Sequence, residues 1–526
     1  MGTLQDDLLA RDLELRQTHI SWVFLDQERV YKVKKPVGLG FLDFRTLEAR
    51  RAACEAEITL NRRLAPDVYL RLLPITRDSA GRHRLGGDAE PVDWAVEMRR
   101  LPAADAADAR LLRGELRRTD VQRIAEHLVA FHARARADAE TARFGSPDEI
   151  RCNVSENFEQ RRESSPRCLD PAALAEIERW QLGFLDAHAE LFQRRVAEAR
   201  VRDGHGDLRL EHVYLDDATG SGIEVIDCIE FNERFRYADV CADIAFLSMD
   251  LIWHGASALS ETLLAAYARA SGDWDLYTLV DFYQSYRAYV RGKVSAILAQ
   301  DAGATPELRA RAASDARKYF LLALACERQP LARPVLYAMA GSVASGKSTL
   351  ADALAAAVGA PVVDSDRTRK QLAGVAPTTR LVGGAFTGAY ASAATDAVYA
   401  ETLRRAGLVL ASGRSVIIDA SLWSRELRAR VRGLARERGV DFCLVECRAP
   451  AVVERARLAE RARTASVSDG DASAYEAHAA AWEPITEFSP REHVVVDTTQ
   501  PLAANLDLVL GTPARKELAA DAAVRT

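Results

Sequence analysis

The feature that most constrains this chain is the segment Val335–Thr349, which reads VLYAMAGSVASGKST. An apolar strand leads into a glycine loop and then a helix, and residues 341–348 spell GxxxxGKS. The two loop glycines permit backbone angles that other residues resist, so successive N–H groups at a helix N-terminus can point at a phosphate. Lys347 is placed to reach the β- and γ-phosphate oxygens, and the Ser348 hydroxyl is suited to Mg²⁺. The segment predicts a nucleotide site formed by Gly341, Ser342, Val343, Ala344, Ser345, Gly346, Lys347, Ser348 and Thr349.

The composition is that of a protein with a sizeable core, because hydrophobic residues make up 48% and charged residues 28% of the chain. At 526 residues, two or three domains are expected. The longest apolar runs are far shorter than the roughly 20 residues that cross a bilayer, and the N-terminus lacks a signal-peptide pattern. Eight Cys without a CxxC pair indicate free thiols in a reducing compartment. We expect a cytoplasmic protein without a membrane segment, and its net charge of −6 gives no general attraction to nucleic acid.

The residue pattern changes near residue 330. Before it, two apolar segments around the turn Asp26–Glu28 predict a hairpin, Arg45–Leu64 predicts a helix, and long helices follow. After the proline-containing segment Cys326–Pro334, apolar strands at 335–340, 361–363, 415–418, 440–446 and 493–497 alternate with helices, which is typical of a parallel sheet. We predict domains at 1–330 and 331–512 and a disordered tail at 513–526.

Charged residues that follow the later strands indicate what the glycine-loop domain does. Asp366 comes directly after the second strand and is suited to accept a proton from a substrate hydroxyl, with Arg369 binding the acceptor. Asp419 ends the third strand and is predicted to lie near Mg²⁺. Arg455 and Arg461 precede the polar loop at 464–472 and would stabilise a transferring phosphoryl group. A helix N-terminus with its usual charges, and a solvated helix face, are the competing explanations.

With these elements, residues 335–500 resemble the small P-loop kinases grouped with gluconate kinase, zeta toxin and polynucleotide 5′-kinase. The resemblance is carried by the glycine loop, Asp366 with Arg369, Asp419 and the arginine-rich segment with its stretch Ser468–Ala472. It implies transfer of the γ-phosphoryl group of ATP to a hydroxyl. ATP is favoured over GTP because the chain has no NKxD motif.

A second set of motifs lies in the N-terminal part. Residues 204–215 read GHGDLRLEHVYL, residues 225–231 read VIDCIEF, and Asp243 follows. This is the spacing of a kinase-like catalytic loop and metal-binding segment: Asp207 would take the acceptor proton, Asp227 would hold Mg²⁺, and Asp243 would support the loop.

The three elements in this order resemble the aminoglycoside phosphotransferase family over residues 18–325. The resemblance implies Lys32, or Lys34, as the ligand of the α- and β-phosphates. Its glutamate partner would be Glu57 or Glu55, and Val96–Arg99, with Glu97 and Met98, would be the hinge that meets adenine.

Two positions depart from this family. His212 stands where a metal-binding Asn is usual, and imidazole is a poor ligand for Mg²⁺. Glu230 or Glu211 would then have to compensate. Residues 18–30 contain no glycine, so the usual glycine-rich phosphate loop is absent from the sequence.

Together, these patterns predict an α+β, kinase-like bilobal N-terminal domain followed by an α/β P-loop domain with a parallel sheet. The predicted function is a bifunctional kinase that uses ATP and Mg²⁺, with a small-molecule hydroxyl or a nucleic-acid 5′ end as acceptor. The oligomeric state is left open. Three alternatives remain: a ligand-sensing N-terminal module beside one active kinase, a polynucleotide kinase with a basic groove at Arg367, Arg369 and Lys370, and a P-loop ATPase.

Overall fold

The computed structural model describes residues 3–10, 13–18, 20–39, 42–163, 169–216, 222–327, 333–381, 387–461, 463 and 466–511. These residues form two compact units. The first holds the described residues up to Ser260 and Val280–Glu327, and the second holds Glu261–Leu279 and the described residues from 333 onward. Residues 328–332 of the predicted linker, residues 464 and 465 of the predicted polar loop, and the predicted tail lie outside the described residues. The domain limits therefore stay a prediction.

An antiparallel six-stranded sheet begins the first unit, in the order β1-β2-β3-β8-β6-β7. The predicted hairpin is confirmed, because β2 pairs with β3 and Asp26 accepts a hydrogen bond from the Glu28 amide at 2.8 Å in the turn. A short antiparallel pair, β4 with β5, follows the hairpin. The strands are β1 (Glu14–Gln17), β2 (Ser21–Leu25), β3 (Arg29–Lys34), β4 (Gly38–Leu39), β5 (Leu42–Asp43), β6 (Tyr69–Arg77), β7 (His83–Leu85) and β8 (Asp93–Arg99).

One helix, α2 (Leu47–Asn61), packs on this sheet, as the i,i+4 apolar spacing predicts. Thr46 caps its N-terminus, with its hydroxyl accepting from the Ala49 amide at 3.1 Å. Cys54 and Ile58 are buried against residues of β6 and β8. The same helix therefore fixes Glu57, which lies between them, beside β3.

Helices dominate the rest of the first unit, joined by short strand pairs. The strands β9 (Val201–Asp203) and β12 (Tyr237–Asp239) pair, as do β10 (Val213–Tyr214) and β11 (Glu224–Val225). The helices of this part of the chain are α1 (Leu4–Leu9), α3 (Ala107–Leu112), α4 (Arg118–Arg134), α5 (Ala139–Arg143), α6 (Pro147–Glu163), α7 (Pro171–Ala187), α8 (Ala189–Ala197), α9 (Val240–Trp253), α10 (Ser257–Ser271), α11 (Leu276–Leu298) and α12 (Pro306–Ala325). Of these, α10 from Glu261 onward and α11 up to Leu279 belong to the second unit. Residues 240–251 of α9 are all buried, so its polar residues need partners inside the unit.

The second unit contains a five-stranded, all-parallel sheet in the order β14-β15-β13-β16-β17. The predicted strands are confirmed, each within two residues, because strands buried on both faces appear as continuous apolar runs. They are β13 (Val335–Ala340), β14 (Val362–Asp364), β15 (Val416–Asp419), β16 (Asp441–Arg448) and β17 (His493–Asp497). The helices are α13 (Lys347–Val358), α14 (Ser365–Leu372), α15 (Ser392–Ala411), α16 (Arg425–Glu437), α17 (Ala451–Arg461), α18 (Ala472–Ala481) and α19 (Leu502–Leu510). In the described part of the chain, no helix combines the length and the apolar character that a membrane crossing requires.

Candidate active sites

The glycine loop joins β13 to α13 and has the backbone that the sequence predicts. Gly341 and Gly346 have φ angles of 146° and 91°, and a Cβ on Gly341 would lie 2.5 Å from the Cys447 carbonyl oxygen. The Lys347 ammonium donates to the carbonyls of Gly341 and Ser342 at 3.0 and 2.6 Å. Because α13 begins at Lys347, the loop amides and the helix N-terminus face the same space.

Three carboxylates gather beside this loop. Asp364 and Asp419 end neighbouring strands in register, and Asp366 lies in the first turn of α14. Burial raises the pKa of Asp419, against the opposing effects of the Lys347 charge and a hydrogen bond from Ser348. Burial, followed by the charges of Asp419 and Asp366, raises the pKa of Asp364 to about 7. No sequence pattern pointed to Asp364, whose side chain also caps α14 by accepting from the Asp366 and Arg367 amides at 2.8 and 2.9 Å.

A cavity of about 720 Å³ brings most of the predicted residues of this unit together. The predicted residues that line it are Val343, Ala344, Gly346, Lys347, Ser348, Thr349, Asp366, Arg369, Asp419 and Arg461. Arg369 is 8% exposed, and its guanidinium donates to the Ala389 carbonyl at 2.5 Å and lies 4.5 Å from the centre of the Tyr390 ring. The cavity thus joins the phosphate loop to a wall of fixed polar and aromatic side chains.

The structure does not bring Arg455 to the cavity with the other predicted residues. Arg455 does not line the cavity; it forms an exposed ion pair with Glu476 at 2.9 Å and lies over the Tyr475 ring. Six residues separate it from Arg461, and at 3.6 residues per turn the two side chains project about 120° apart around α17. Arg457 instead supports the loop by donating to the Thr498 hydroxyl at 3.0 Å.

Two of the three basic residues that the sequence suggested for a nucleic-acid groove, Arg369 and Lys370, are buried. Lys370 is fully buried and pairs with Asp469, which also accepts a hydrogen bond from the Tyr390 hydroxyl at 2.6 Å. Arg369 is buried against Tyr390, so neither side chain offers an open positive surface. No sequence pattern indicated Tyr390, because it reaches the cavity only through the packing of the segment before α15.

In the first unit, two lysines of β3 share one buried glutamate. Lys32 lies 2.8 Å from one Glu57 carboxylate oxygen and contacts Asp227, whereas Lys34 lies 2.6 Å from the other and contacts Glu230. Burial alone would lower the pKa of Lys32, but the charges of Asp227 and Glu57 outweigh it and raise that pKa. The contacts thus distinguish the two lysines that the sequence left as alternatives. Lys32 contacts Asp227, the carboxylate predicted to bind the metal, and Lys34 does not.

Glu55, the alternative glutamate, lies on the exposed face of α2 and pairs with Arg51 at 3.0 Å. This places Glu57, and not Glu55, beside the two lysines.

The HGD loop is held by Asp243, as predicted. Its carboxylate accepts hydrogen bonds from the His205 and Gly206 amides at 2.7 and 2.9 Å. Asp207 forms an ion pair with Arg209 at 2.9 Å. Burial would raise the pKa of Asp207, but the Arg209 charge and His212 hold it below its usual range. Asp207 therefore remains ionised at physiological pH.

His212 lies between the two predicted catalytic carboxylates. Its Nδ1 is 2.7 Å from the Asp207 carbonyl oxygen, which can only accept, so Nδ1 carries the hydrogen. Burial and the Arg209 charge lower the pKa of His212 to about 4, so the ring is neutral at physiological pH. The Nε2 lone pair is then 3.7 Å from an Asp227 carboxylate oxygen and 3.3 Å from the Arg209 guanidinium.

Both glutamates that the sequence suggested as substitutes for the missing ligand are engaged by cations. Glu230 is buried in its pair with Lys34, and Glu211 pairs with Arg209.

The predicted hinge at Glu97 and Met98 is also displaced. Both residues lie inside β8, paired with β3 on one side and β6 on the other. The Glu97 side chain pairs with Arg71 at 2.6 Å, and Met98 is part of the apolar core. The chain leaves the sheet only after Arg99, beyond both residues.

Comparisons with known proteins match both parts of the chain. Residues 29–283 match the model of the phosphotransferase enzyme family, and residues 336–485 match the model of an AAA domain. Proteins of Mycobacterium bovis and of two Mycobacterium tuberculosis strains, each named as uncharacterized, are 34% identical to this chain over 487 residues. The match covers 92% of this chain and 94% of those proteins. The chain belongs to their family.

This two-domain protein is an ATP-dependent phosphotransferase, because both halves match kinase-type domains. A gluconokinase from Sinorhizobium meliloti matches 38% of the chain and 99% of its own length, at 22% identity and a TM-score of 0.25. A choline/ethanolamine kinase family protein from Mesorhizobium loti matches 62% of the chain and 99% of its own length, at 14% identity and a TM-score of 0.34.

Proposed function

We propose that the protein is bifunctional and that each domain transfers the γ-phosphoryl group of ATP to a hydroxyl of its own acceptor. The proposal divides the chain near residue 330 and places it in the cytoplasm, where ATP is available. One observation carries it: each half brings together a lysine and two carboxylates of the kinds that phosphoryl transfer needs. These are Lys347, Asp366 and Asp419 in the second unit and Lys32, Asp207 and Asp227 in the first.

In the P-loop domain, the loop amides and Lys347 would hold the phosphates of ATP. Asp366 would accept the proton of the acceptor hydroxyl as that oxygen attacks the γ-phosphorus. Arg461 lines the cavity and would stabilise the charge on the transferring group. Each of these groups faces the one cavity, so no large rearrangement of the sheet is needed.

The oxygen atoms beside each lysine suit Mg²⁺, which prefers oxygen ligands. Ser348 donates to the buried Asp419 in the second unit, and Asp227 is the carboxylate of the first. Among the described residues, no group of three or more His, Cys, Asp or Glu could hold a metal by itself, so nucleotide phosphates would complete the ligand set. Mg²⁺ bound with ATP neutralises charge on the β- and γ-phosphates.

We favour a small molecule over a nucleic-acid end as the acceptor of the P-loop domain. Lys370 is neutralised by Asp469, and Arg369 is held against Tyr390, so these two cations are engaged within the protein beside Asp366. A cavity of about 720 Å³ is of the size that accommodates ATP phosphates and a compact polyhydroxyl compound.

The test compares Asp207→Asn and Asp366→Asn in the full chain, using radiolabelled ATP and a panel of sugars, nucleosides, aminoglycosides and 5′-OH oligonucleotides. Each substitution should lower transfer to its own acceptors by about a hundredfold or more and leave ATP affinity nearly unchanged, as expected for a general base. If Asp366→Asn abolishes all transfer and Asp207→Asn none, the N-terminal domain is a sensing module and the bifunctional proposal is wrong.

A further inference from the structure

A cluster of aromatic and cationic side chains adjoins the HGD loop in the first unit. The rings of Trp253 and Tyr319 stack with centres 5.1 Å apart and planes 17° from parallel. The Lys318 ammonium lies 4.1 Å from the centre of the Trp253 ring, and the Arg291 guanidinium lies 5.8 Å from the centre of the Tyr319 ring. We call these four residues, contributed by α9, α11 and α12, the cationic-aromatic cluster.

Asp250 connects this cluster to the loop that carries Asp207. It lies on α9 one turn before Trp253, and its carboxylate accepts a hydrogen bond from the Leu210 amide at 2.9 Å. Burial would raise the pKa of Asp207, and Arg291 is one of the charges, after Arg209 and His212, that lower it. The cluster therefore lies one helical turn from a residue that holds the loop of Asp207.

The charge of the cluster is not balanced by ion pairs. Within the part of the chain that the structure describes, neither Arg291 nor the exposed Lys318 lies within ion-pairing distance of a carboxylate. Lys318 donates to the Trp253 carbonyl, and Arg291 shares a hydrogen bond with the Tyr319 hydroxyl. Both hydrogen bonds go to neutral oxygen atoms, so neither neutralises the positive charge of Lys318 or Arg291.

Two buried donors in the cluster also lack acceptors. The Trp253 indole nitrogen and the Arg291 Nε are shielded from solvent and have no hydrogen-bond partner among the described residues. A buried donor without a partner is costly and uncommon in folded proteins. The cluster therefore holds two donors beside the stacked rings that are unsatisfied by any described residue.

We propose that the cationic-aromatic cluster binds the hydroxyl acceptor of the N-terminal centre and that this acceptor is an anion with a flat or apolar face. This proposal rests on the transfer function proposed above. A carboxylate or phosphate would lie between Lys318 and Arg291, and its ring or carbon skeleton would pack on the aromatic pair. A cationic acceptor, such as a polyamine sugar, would be repelled by the same two charges.

Three probes that share a 4-hydroxyphenyl ring and carry a negative, a neutral or a positive group test this: 4-hydroxybenzoate, 4-hydroxybenzamide and 4-hydroxybenzylamine. Their binding to the full chain saturated with Mg²⁺ and a non-hydrolysable ATP analogue is measured by saturation-transfer NMR titration. We expect the anion to bind about tenfold more tightly than the amide, the size of one charge-assisted hydrogen bond, and the cation to bind most weakly. Because binding is measured, a failed proposal is distinguished from an absence of phosphoryl transfer.

Substitutions show which residues cause the preference for the anionic probe. Arg291→Gln and Lys318→Gln should each reduce the preference for the anion severalfold. Arg317→Gln removes an exposed charge from the neighbouring position of α12, on a different face, and should leave the preference unchanged. The proposal is overturned if the anion does not bind at millimolar concentration, if the three probes bind equally, or if the Arg291 and Lys318 variants keep the full preference.

Discussion

Asp364 and Asp419 occupy neighbouring strand ends, where two buried carboxylates cannot both ionise without cost. Asp364 is the one whose pKa rises to about 7, first through burial and then through the charges of Asp419 and Asp366. Its unfolded pKa is near 4, so between about pH 4 and pH 7 the folded state binds more protons than the unfolded state. The stability contributed by this residue is present at low pH and is lost as the pH rises through that range.

Asp364→Asn should therefore stabilise the second unit at pH 8 and have little effect at pH 4. Asn retains the oxygen that caps α14, so the helix N-terminus keeps its acceptor. We expect the melting temperature at pH 8 to rise by a few degrees, corresponding to about 1 kcal/mol or more in a domain of this size. Calorimetric scans at both pH values check this, and an equal shift at pH 4 and pH 8 would show that the effect does not come from the ionisation of Asp364.

His212 should change which metal the N-terminal site prefers. Its Nδ1 donates to a carbonyl, which directs the neutral Nε2 toward the space beside Asp227. Imidazole is a weaker ligand for Mg²⁺ than for Mn²⁺, so we expect nucleotide binding at this site to favour Mn²⁺.

The comparison is made in full chains that carry Lys347→Ala, which removes the P-loop site. His212→Asn should shift the preference toward Mg²⁺ by about tenfold in calorimetric titrations of ATP with each metal. Electron spin-echo spectra of bound Mn²⁺ should show nitrogen coupling to an imidazole with His212 and not with Asn. Coupling that persists in the variant would assign the nitrogen to another residue.

At the scale of elements, the parts that sequence predicts well are those fixed by local constraints. The P-loop glycines are required by backbone angles, and β13 to β17 appear as apolar runs because both faces of that sheet are buried. Arg455 was misplaced because the rotation of α17 relative to the cavity depends on packing. The predicted hinge residues lie within a strand because β8 extends through Arg99. Ion pairs between residues that are distant in sequence could not be predicted either.

The first unit illustrates this limit. Nothing in the sequence near Lys34 indicates that it pairs with Glu230, since 196 positions separate them and only the fold brings them together. The pairing of Lys32 with Asp227 was foreseeable only in outline, from the order of a lysine, a glutamate and two aspartates along the chain. Sequence order thus predicts which groups a site contains, and the fold decides which of two candidates is used.

At the scale of the whole molecule, the two proposed nucleotide sites would give two separable binding events per chain. The P-loop site depends on Lys347 and Asp419, and the N-terminal site on Lys32 and Asp227, with no residue shared. We expect calorimetric titration with Mg·ATP to give about two sites per chain, about one in either Lys347→Ala or Asp227→Ala, and none in the double variant. The two losses should add, because independent sites share no contacts. Each variant should keep the thermal transition of its other domain, which distinguishes a lost site from an unfolded chain. A stoichiometry of one in the unmodified chain, removed entirely by Lys347→Ala, would leave a single nucleotide centre and contradict the bifunctional proposal.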